Sequence, residues 1–362
     1  MISTQAPNAT QPASGTSGPG MRPLGSTGLR VAPLVLGSNV FGWTIDERTS
    51  FGLLDAFVDA GFNAIDTADI YSVWAAGNRG GESEGILGRW LRARPGMRER
   101  VLVFTKVGGD FRDGRRGLSA AWIARAAEDS LARLQTDRID LYQAHWPDPA
   151  TAPGETLGAF ANLMSAGKVR AIGCSNMHAA QVEASLKAAR ALGLPAYQTL
   201  QPEYNLCSRT GFEGGLRRLA VREGLGVLAH SGLARGFLTG KYRSRADLDK
   251  SPRGADLARF LGGRGQRILG ALDQVADRLG ARPGEVALAW LLTREGVTAP
   301  IASATSHEQL ASLVRAARLE LSGQDLRLLE QASGTPWDTL GLGGLRAWLA
   351  GTFRRLAFAL GR

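Results

Sequence analysis

Cysteine is scarce: Cys174 and Cys207 are the only two in 362 residues. Two thiols make no disulfide framework and point to a reducing, cytoplasmic setting. Cys174 and His178 have a spacing a metal site could use, but no second pair completes it, so no metal is expected. Apolar runs are short as well, and none approaches the ~20 residues of a membrane-crossing helix. Residues 1–20 lack charge, an apolar core and a basic start, which argues against a signal peptide. Acidic residues are outnumbered, 33 against 43 basic, for a net charge of +10. The lysines and arginines are spread without a long run or a nucleic-acid motif, so the excess favours anionic ligands over nucleic acid.

What is present is a rhythm. From Val31 a short apolar run, a polar loop and an amphipathic stretch follow one another eight times. The runs read as strands over 34–36, 64–65, 101–105, 139–143, 171–173, 199–201, 226–229 and 298–301. Helix patterns lie near 50–60, 82–92, 119–134, 156–166, 179–192, 214–222, 266–279, 286–293 and 307–315. Unbroken strand–helix alternation predicts an α/β fold with a parallel sheet closed into a (β/α)8 TIM barrel. The division is a disordered tail over 1–20, the barrel over 21–333 opening with a two-strand hairpin, and a tail over 334–362. Met21, heading the hairpin, is a candidate biological start. One connection, Leu233 to about Gly265, is long and rich in Gly and Arg, either a functional loop or a poorly ordered one. In the last tail Arg346, Arg354, Arg355 and Arg362 face a single Asp338, while Leu345, Trp348, Leu349, Leu356 and Leu360 share a helical face. Such a basic helix packs across the barrel or lies on a membrane surface.

The chemistry gathers at strand ends. Asp66 closes the buried run of Asn63–Tyr71, Lys106 ends the next strand and His145 the one after, with Tyr71 on the loop beyond Asp66. Barrel enzymes carry their catalytic groups at that end of the strands. An unperturbed phenol, pKa about 10, is a poor proton donor near neutrality. A nearby ammonium lowers that value, a carboxylate keeps the ammonium charged, and an imidazole can orient a carbonyl oxygen. Phenol, ammonium, carboxylate and imidazole together suit protonation of a carbonyl as hydride arrives, or the reverse.

Seven stretches in order resemble the aldo-keto reductase family. They are Gly61-Phe-Asn-Ala-Ile-Asp-Thr-Ala-Asp-Ile-Tyr71, Gly81-Glu-Ser-Glu84, Phe104-Thr-Lys-Val107, Tyr142-Gln-Ala-His-Trp-Pro-Asp148, Ile172-Gly-Cys-Ser-Asn176, Gln201-Pro-Glu-Tyr-Asn-Leu206 and Ala234-Arg-Gly-Phe-Leu-Thr-Gly-Lys-Tyr242. The resemblance implies a (β/α)8 barrel that binds NADP(H) without a Rossmann domain, and no Gly-x-Gly-x-x-Gly joins a strand to a helix here. It implies Tyr71 as general acid, Lys106 as its partner, Asp66 as counter-ion and His145 as carbonyl orienter. It assigns Ser175, Asn176 and Gln201 to the nicotinamide carboxamide, and Ser231, Leu233, Ala234, Arg235 and Lys241 to the loop over the pyrophosphate. Gly37, Ser38, His230, Ser303, Thr305 and Gln309 complete the implied cofactor contacts. Trp43, Trp74 and Trp146 would line a pocket for a small-molecule carbonyl compound.

Several positions depart from that pattern. His230 stands where an aromatic ring usually stacks on the nicotinamide, and Gly232 replaces a proline, which is expected to loosen the loop. Thr305 stands where a basic residue often meets the 2′-phosphate, and Leu313 replaces an asparagine. NAD(H) is therefore a possible alternative cofactor, unless Arg235 or Arg253 supplies the missing charge. Two other functions are open to such a chain: a cofactor-binding regulatory subunit, as the potassium-channel β-subunits are, or a membrane-surface protein acting through its basic tail. Those β-subunits typically lack the counterpart of His145, which this chain keeps.

Overall fold

The computed structural model describes residues 19–111, 113–251 and 254–334. A hairpin of β1 (Arg22–Pro23) and β2 (Arg30–Val31) comes first, with Arg22 opposite Val31. Eight strands follow: β3 (Val35–Gly37), β4 (Ala64–Asp66), β5 (Leu102–Val107), β6 (Ile139–Ala144), β7 (Val169–Ser175), β8 (Thr199–Gln201), β9 (Gly226–Ala229) and β10 (Val297–Ala302). All neighbours are parallel, and β10 pairs with both β9 and β3, so the sheet closes into a barrel. Because helices cover the outer face, most strands are buried along their whole length, and in β7 only Arg170 reaches solvent. That is why they read as short apolar runs instead of alternating ones. Each strand lies within two residues of its sequence-based position at either end.

Local chemistry sets the helix boundaries. Asp46, Ser119, Ser306 and Ser322 each accept a bond from a first-turn N–H, giving starts at Glu47, Ala120, His307 and Gly323. The helix Gly323–Ser333 was not anticipated, although Ser322 and Asp325 form a reciprocal capping box at its start. The long connection holds 3-10 segments at Ala234–Thr239, Arg245–Lys250 and Gly254–Phe260. Phe237, Leu238, Tyr242 and Leu257 are buried beneath it, so a local core holds the segment against the barrel.

The hairpin plugs the amino-terminal end. Leu24, Leu29 and Val31 are buried against Val35, Phe104, Leu141, Leu228 and Ile301 inside the barrel. Gly25 has φ of +54°, and a Cβ there would stand 2.3 Å from Gly226 N, so only glycine fits. Apart from residues 19, 20 and 334, the two expected tails fall outside the described residues, as does Arg253. Among the described residues no helix is long and apolar enough to cross a membrane.

Candidate active site

At the opposite rim the four expected groups meet. Lys106 Nζ lies 2.6 Å from Asp66 Oδ2, 2.7 Å from the Thr67 carbonyl and 3.0 Å from the Tyr71 hydroxyl. An ammonium has three protons, so this set consumes all of them. Pairing β4 with β5 in register, with Asp66 opposite Phe104, brings the carboxylate beside the lysine two residues on. Asp66 and Lys106 are buried at 1% and 0% exposure, a placement that only mutual pairing makes tolerable. Gln201 Nε2 donates to the other carboxylate oxygen, Asp66 Oδ1, at 2.9 Å. His145 packs edge-on to the Tyr71 ring at 5.9 Å, and its Nδ1 is buried without a partner.

Electrostatics correct one expectation. Burial is the largest influence on Tyr71 and raises its pKa to about 12; Lys106 pulls downward as expected but is outweighed, with Asp66 adding to the rise. The phenol keeps an outer surface to solvent, but protein packs closely round its hydroxyl. For Lys106 burial acts downward, yet Asp66 and Tyr71 together hold its pKa above the ordinary value, so it stays charged. Burial, aided by Lys106, pushes His145 well below its usual value and leaves a neutral imidazole.

The residues assigned to the nicotinamide form one hydrogen-bonded group at the ends of β7 and β8. Ser175 Oγ donates to the Gln201 carbonyl at 2.8 Å, and Asn176 Nδ2 donates to the His145 carbonyl at 2.9 Å. His230, just past β9, contacts Asn176 Oδ1 at 3.2 Å and Ser231 Oγ at 3.0 Å. Six non-glycine residues among those described have positive φ: Ser72, Gln135, Asn176, Ser231, Ala234 and Arg235. Gln135 ends a helix, but the other five border this rim. Strained backbone of this kind concentrates at ligand sites. Within this loop the N–H groups of Ala234 and Gly236 donate to the Ser231 and Leu233 carbonyls at 2.7 and 2.9 Å, so the left-handed pair Ala234 and Arg235 is held by turns closed on the loop itself.

The remaining assigned positions are less uniform. Ser38 is fully buried, donating to the Asp66 carbonyl and sharing a bond with Ser83, so its side chain is occupied within the fold. Gly37 leaves room for Ser303, whose Oγ would stand 2.8 Å from an added Cβ; that hydroxyl donates to Asn39 at 2.7 Å. Thr305 donates to Gln309 Oε1 through both its N–H and its hydroxyl, a neutral pair beside the helix His307–Ala316. Arg235 is ion-paired with Asp256. Lys241 is exposed, with its ammonium over the Tyr242 ring. Leu233 lies at the start of the first 3-10 segment. Gly232 does more than loosen the loop: a Cβ there would approach Leu288 and Leu291 side chains to 2.9 and 3.0 Å, because helix Pro283–Leu292 closes on it.

All three tryptophans flank the Tyr71–His145 pair. Trp74 lies 6.0 Å from the Tyr71 ring and 5.6 Å from Trp43, while Trp146 stacks on His145 and is 52% exposed. Two supporting groups were missed. Thr67 acts through its carbonyl, which no side-chain pattern reveals. Asn205 donates to the Ser231 carbonyl at 2.9 Å and accepts from the N–H groups of Cys207 and Ser208. An asparagine within the matched stretch Gln201–Leu206 was the visible signal for it; its burial comes from the fold.

Comparison with known proteins agrees with this geometry. The sequence profile described as the Aldo/keto reductase family matches residues 33–333. The chain is 38% identical over 315 residues to the uncharacterized oxidoreductase YrpG of Bacillus subtilis, spanning 84% of this chain and 93% of that protein. It is 35% identical to Protein tas of Escherichia coli, over 83% of this chain and 94% of tas. It is 32% identical to the norsolorinic acid reductase stcV of Emericella nidulans, over 86% of this chain and 80% of that protein. With a closed eight-strand barrel, a match across most of its length and relatives of this kind, the chain belongs to the aldo/keto reductase family.

Proposed function

We propose that the protein is an NADP(H)-dependent reductase of aldehydes or ketones, with Tyr71 as proton donor. The observation that carries this reading is the 3.0 Å approach of Lys106 Nζ to the Tyr71 hydroxyl, with the ammonium held to Asp66 at 2.6 Å. Since Lys106 donates to the phenolic oxygen, the phenol's own proton is left to be donated. Its protein partner, Asp66 Oδ2, is 3.4 Å away, a long bond that a carbonyl oxygen can replace. With a pKa of about 12 the phenol keeps this proton at neutral pH until a stronger base forms beside it. A carbonyl oxygen gaining negative charge is such a base, and the phenolate left behind is stabilised by the adjacent ammonium. Neutral His145 is no acid under these conditions, but its ring can donate one hydrogen bond and orient the carbonyl.

The residues present fit a nicotinamide dinucleotide. Ser175, Asn176 and Gln201 offer amide and hydroxyl groups for the carboxamide, and the exposed Lys241 ammonium, on the loop of left-handed Ser231, Ala234 and Arg235, offers a charge for the phosphates. The bound dinucleotide supplies the hydride. Among the described residues, the neutral Thr305–Gln309 pair and the Asp256 hold on Arg235 leave little fixed charge for a 2′-phosphate, so NADH should compete with NADPH. Trp43, Trp74 and Trp146 present apolar faces to the carbonyl substrate. A relative named norsolorinic acid reductase supports the reductive direction. Mixing the protein with NADPH and a panel of aldehydes should give loss of NADPH absorbance; none across aliphatic and aromatic members would refute the reading.

A further inference from the structure

We propose that His230 is a positioning residue: as its Nε2–H tautomer it fixes the Asn176 amide and the Ser231 hydroxyl, tying the end of β7 to the loop after β9. The argument begins at the His145 carbonyl. A carbonyl oxygen only accepts, so the Asn176 atom 2.9 Å from it must be Nδ2, the donor. Asn176 Oδ1 then faces His230 Nε2 at 3.2 Å and also only accepts, so Nε2 carries the proton. Packing of protein round the imidazole pushes its pKa down to about 4, with Glu203 and Asp66 acting upward, Lys106 and Arg235 downward. The ring is therefore neutral at pH 7, Nδ1 has a free lone pair, and Ser231 Oγ at 3.0 Å donates to it. Every bond in the relay Ser231, His230, Asn176, His145 has one allowed direction.

The two residues that His230 clamps are both held in left-handed backbone, Asn176 at φ 58° and Ser231 at φ 56°. Such conformations persist only where surrounding bonds over-determine them. The main chain of His230 is anchored as well, its N–H to the Pro202 carbonyl at 3.0 Å and its carbonyl to Tyr204 N at 3.3 Å. A purely stacking ring at this position would hold neither neighbour. The consequence for dinucleotide binding rests on the reductase reading above; the tautomer does not.

Two measurements on the full chain test the two parts separately. Heteronuclear NMR of ligand-free protein with nitrogen-labelled histidine, at neutral pH, should show one of the four imidazoles as a neutral Nε2–H tautomer that disappears in His230→Phe. A cationic or Nδ1–H signal for His230 overturns the relay. Quenching of tryptophan fluorescence by NADPH and NADP+ should then show His230→Phe binding about tenfold more weakly, the loss of one well-made hydrogen-bond pair. His230→Gln, whose amide carries both a donor and an acceptor, should return to within about threefold of wild type. Retention of wild-type affinity by a folded His230→Phe, checked by circular dichroism, overturns the positioning role. Equal loss in Phe and Gln variants does so too. If the wild type binds neither dinucleotide, the reductase reading and the consequence drawn from it both fail, while the tautomer measurement still decides the relay.

Discussion

The two ends of the barrel are built on opposite terms. At the amino-terminal end the hairpin residues Leu24, Leu29 and Val31 seal an apolar interior, and the left-handed position at Gly25 is filled by the one residue that fits. At the carboxyl rim a lysine, a carboxylate and a glutamine are buried together, and left-handed positions are held by Asn176, Ser231, Ala234 and Arg235. One end obeys the local rules of folding and the other breaks them several times within a few ångströms. Rule-breaking of this kind marks the place where chemistry, not stability, selects the residue. Substitutions at the two ends should therefore fall on different observables.

The largest effect should come from Tyr71→Phe. Removing one oxygen deletes the proposed proton donor, and turnover with NADPH and an aldehyde should fall by about 10²–10⁴-fold. Dinucleotide binding should persist, and thermal stability should change little because Lys106 retains Asp66 and the Thr67 carbonyl. Turnover near wild type would remove Tyr71 from the acid role. Leu24→Ala at the other end should do the reverse. Leu24 is fully buried in the plug, and such truncations cost about 2–5 kcal/mol. The denaturation midpoint should drop while turnover per folded molecule stays within about twofold; a parallel loss of turnover would mean the two ends are coupled.

Alkali should separate the ends by a different route. Tyr71 binds its proton more tightly folded, at about 12 against about 10 unfolded, and Lys106 is shifted in the same direction. A group whose folded pKa is raised contributes stability that is complete below the unfolded value and lost as pH climbs through the folded one. Between about pH 10 and 12 the wild type should thus lose stability through the rim. Tyr142 and Tyr197 are raised by burial and contribute to the same decline, so the reading is a difference. Urea midpoints of Tyr71→Phe should fall less steeply across that window, and those of Leu24→Ala should parallel the wild type. Equal slopes in all three would show that Tyr71 titrates alike in both states.

Legibility in the sequence follows the same division. Buried parallel strands announce themselves because helices cover their outer face, so Val35–Gly37 and Gly226–Ala229 stand out as apolar runs. The catalytic candidates were legible because four side-chain types at three strand ends are improbable in a sealed barrel otherwise. Three things were not. The rise in the Tyr71 pKa depends on how much protein surrounds the hydroxyl, which no spacing encodes. The Thr67 carbonyl contributes through the main chain. The bond directions round His230 follow from the orientation of one amide, and Asn176, just past the Ser175–Gln201 pairing of β7 with β8, is left-handed. Residue types travel in the sequence, whereas desolvation and bond direction arise from packing.

The smallest effect should be the most diagnostic of the contrast. Ala234 sits at φ 48° and is 1% exposed, so its methyl group is kept in a backbone region that costs an L-residue roughly 1–2 kcal/mol. Ala234→Gly relieves that strain, but freedom gained by the unfolded chain takes back about 0.4–1 kcal/mol. The net change should be a stabilisation of between about 0 and 1.6 kcal/mol in a urea titration. Gly25→Ala, at a similar φ of 54°, should be strongly destabilising because its new Cβ would stand 2.3 Å from Gly226 N. The same pair of residue types, exchanged at two left-handed positions, should thus move stability in opposite directions. A clear destabilisation by Ala234→Gly would mean that its methyl packing outweighs its strain, and the rim would no longer count as the end where backbone energy is held in reserve.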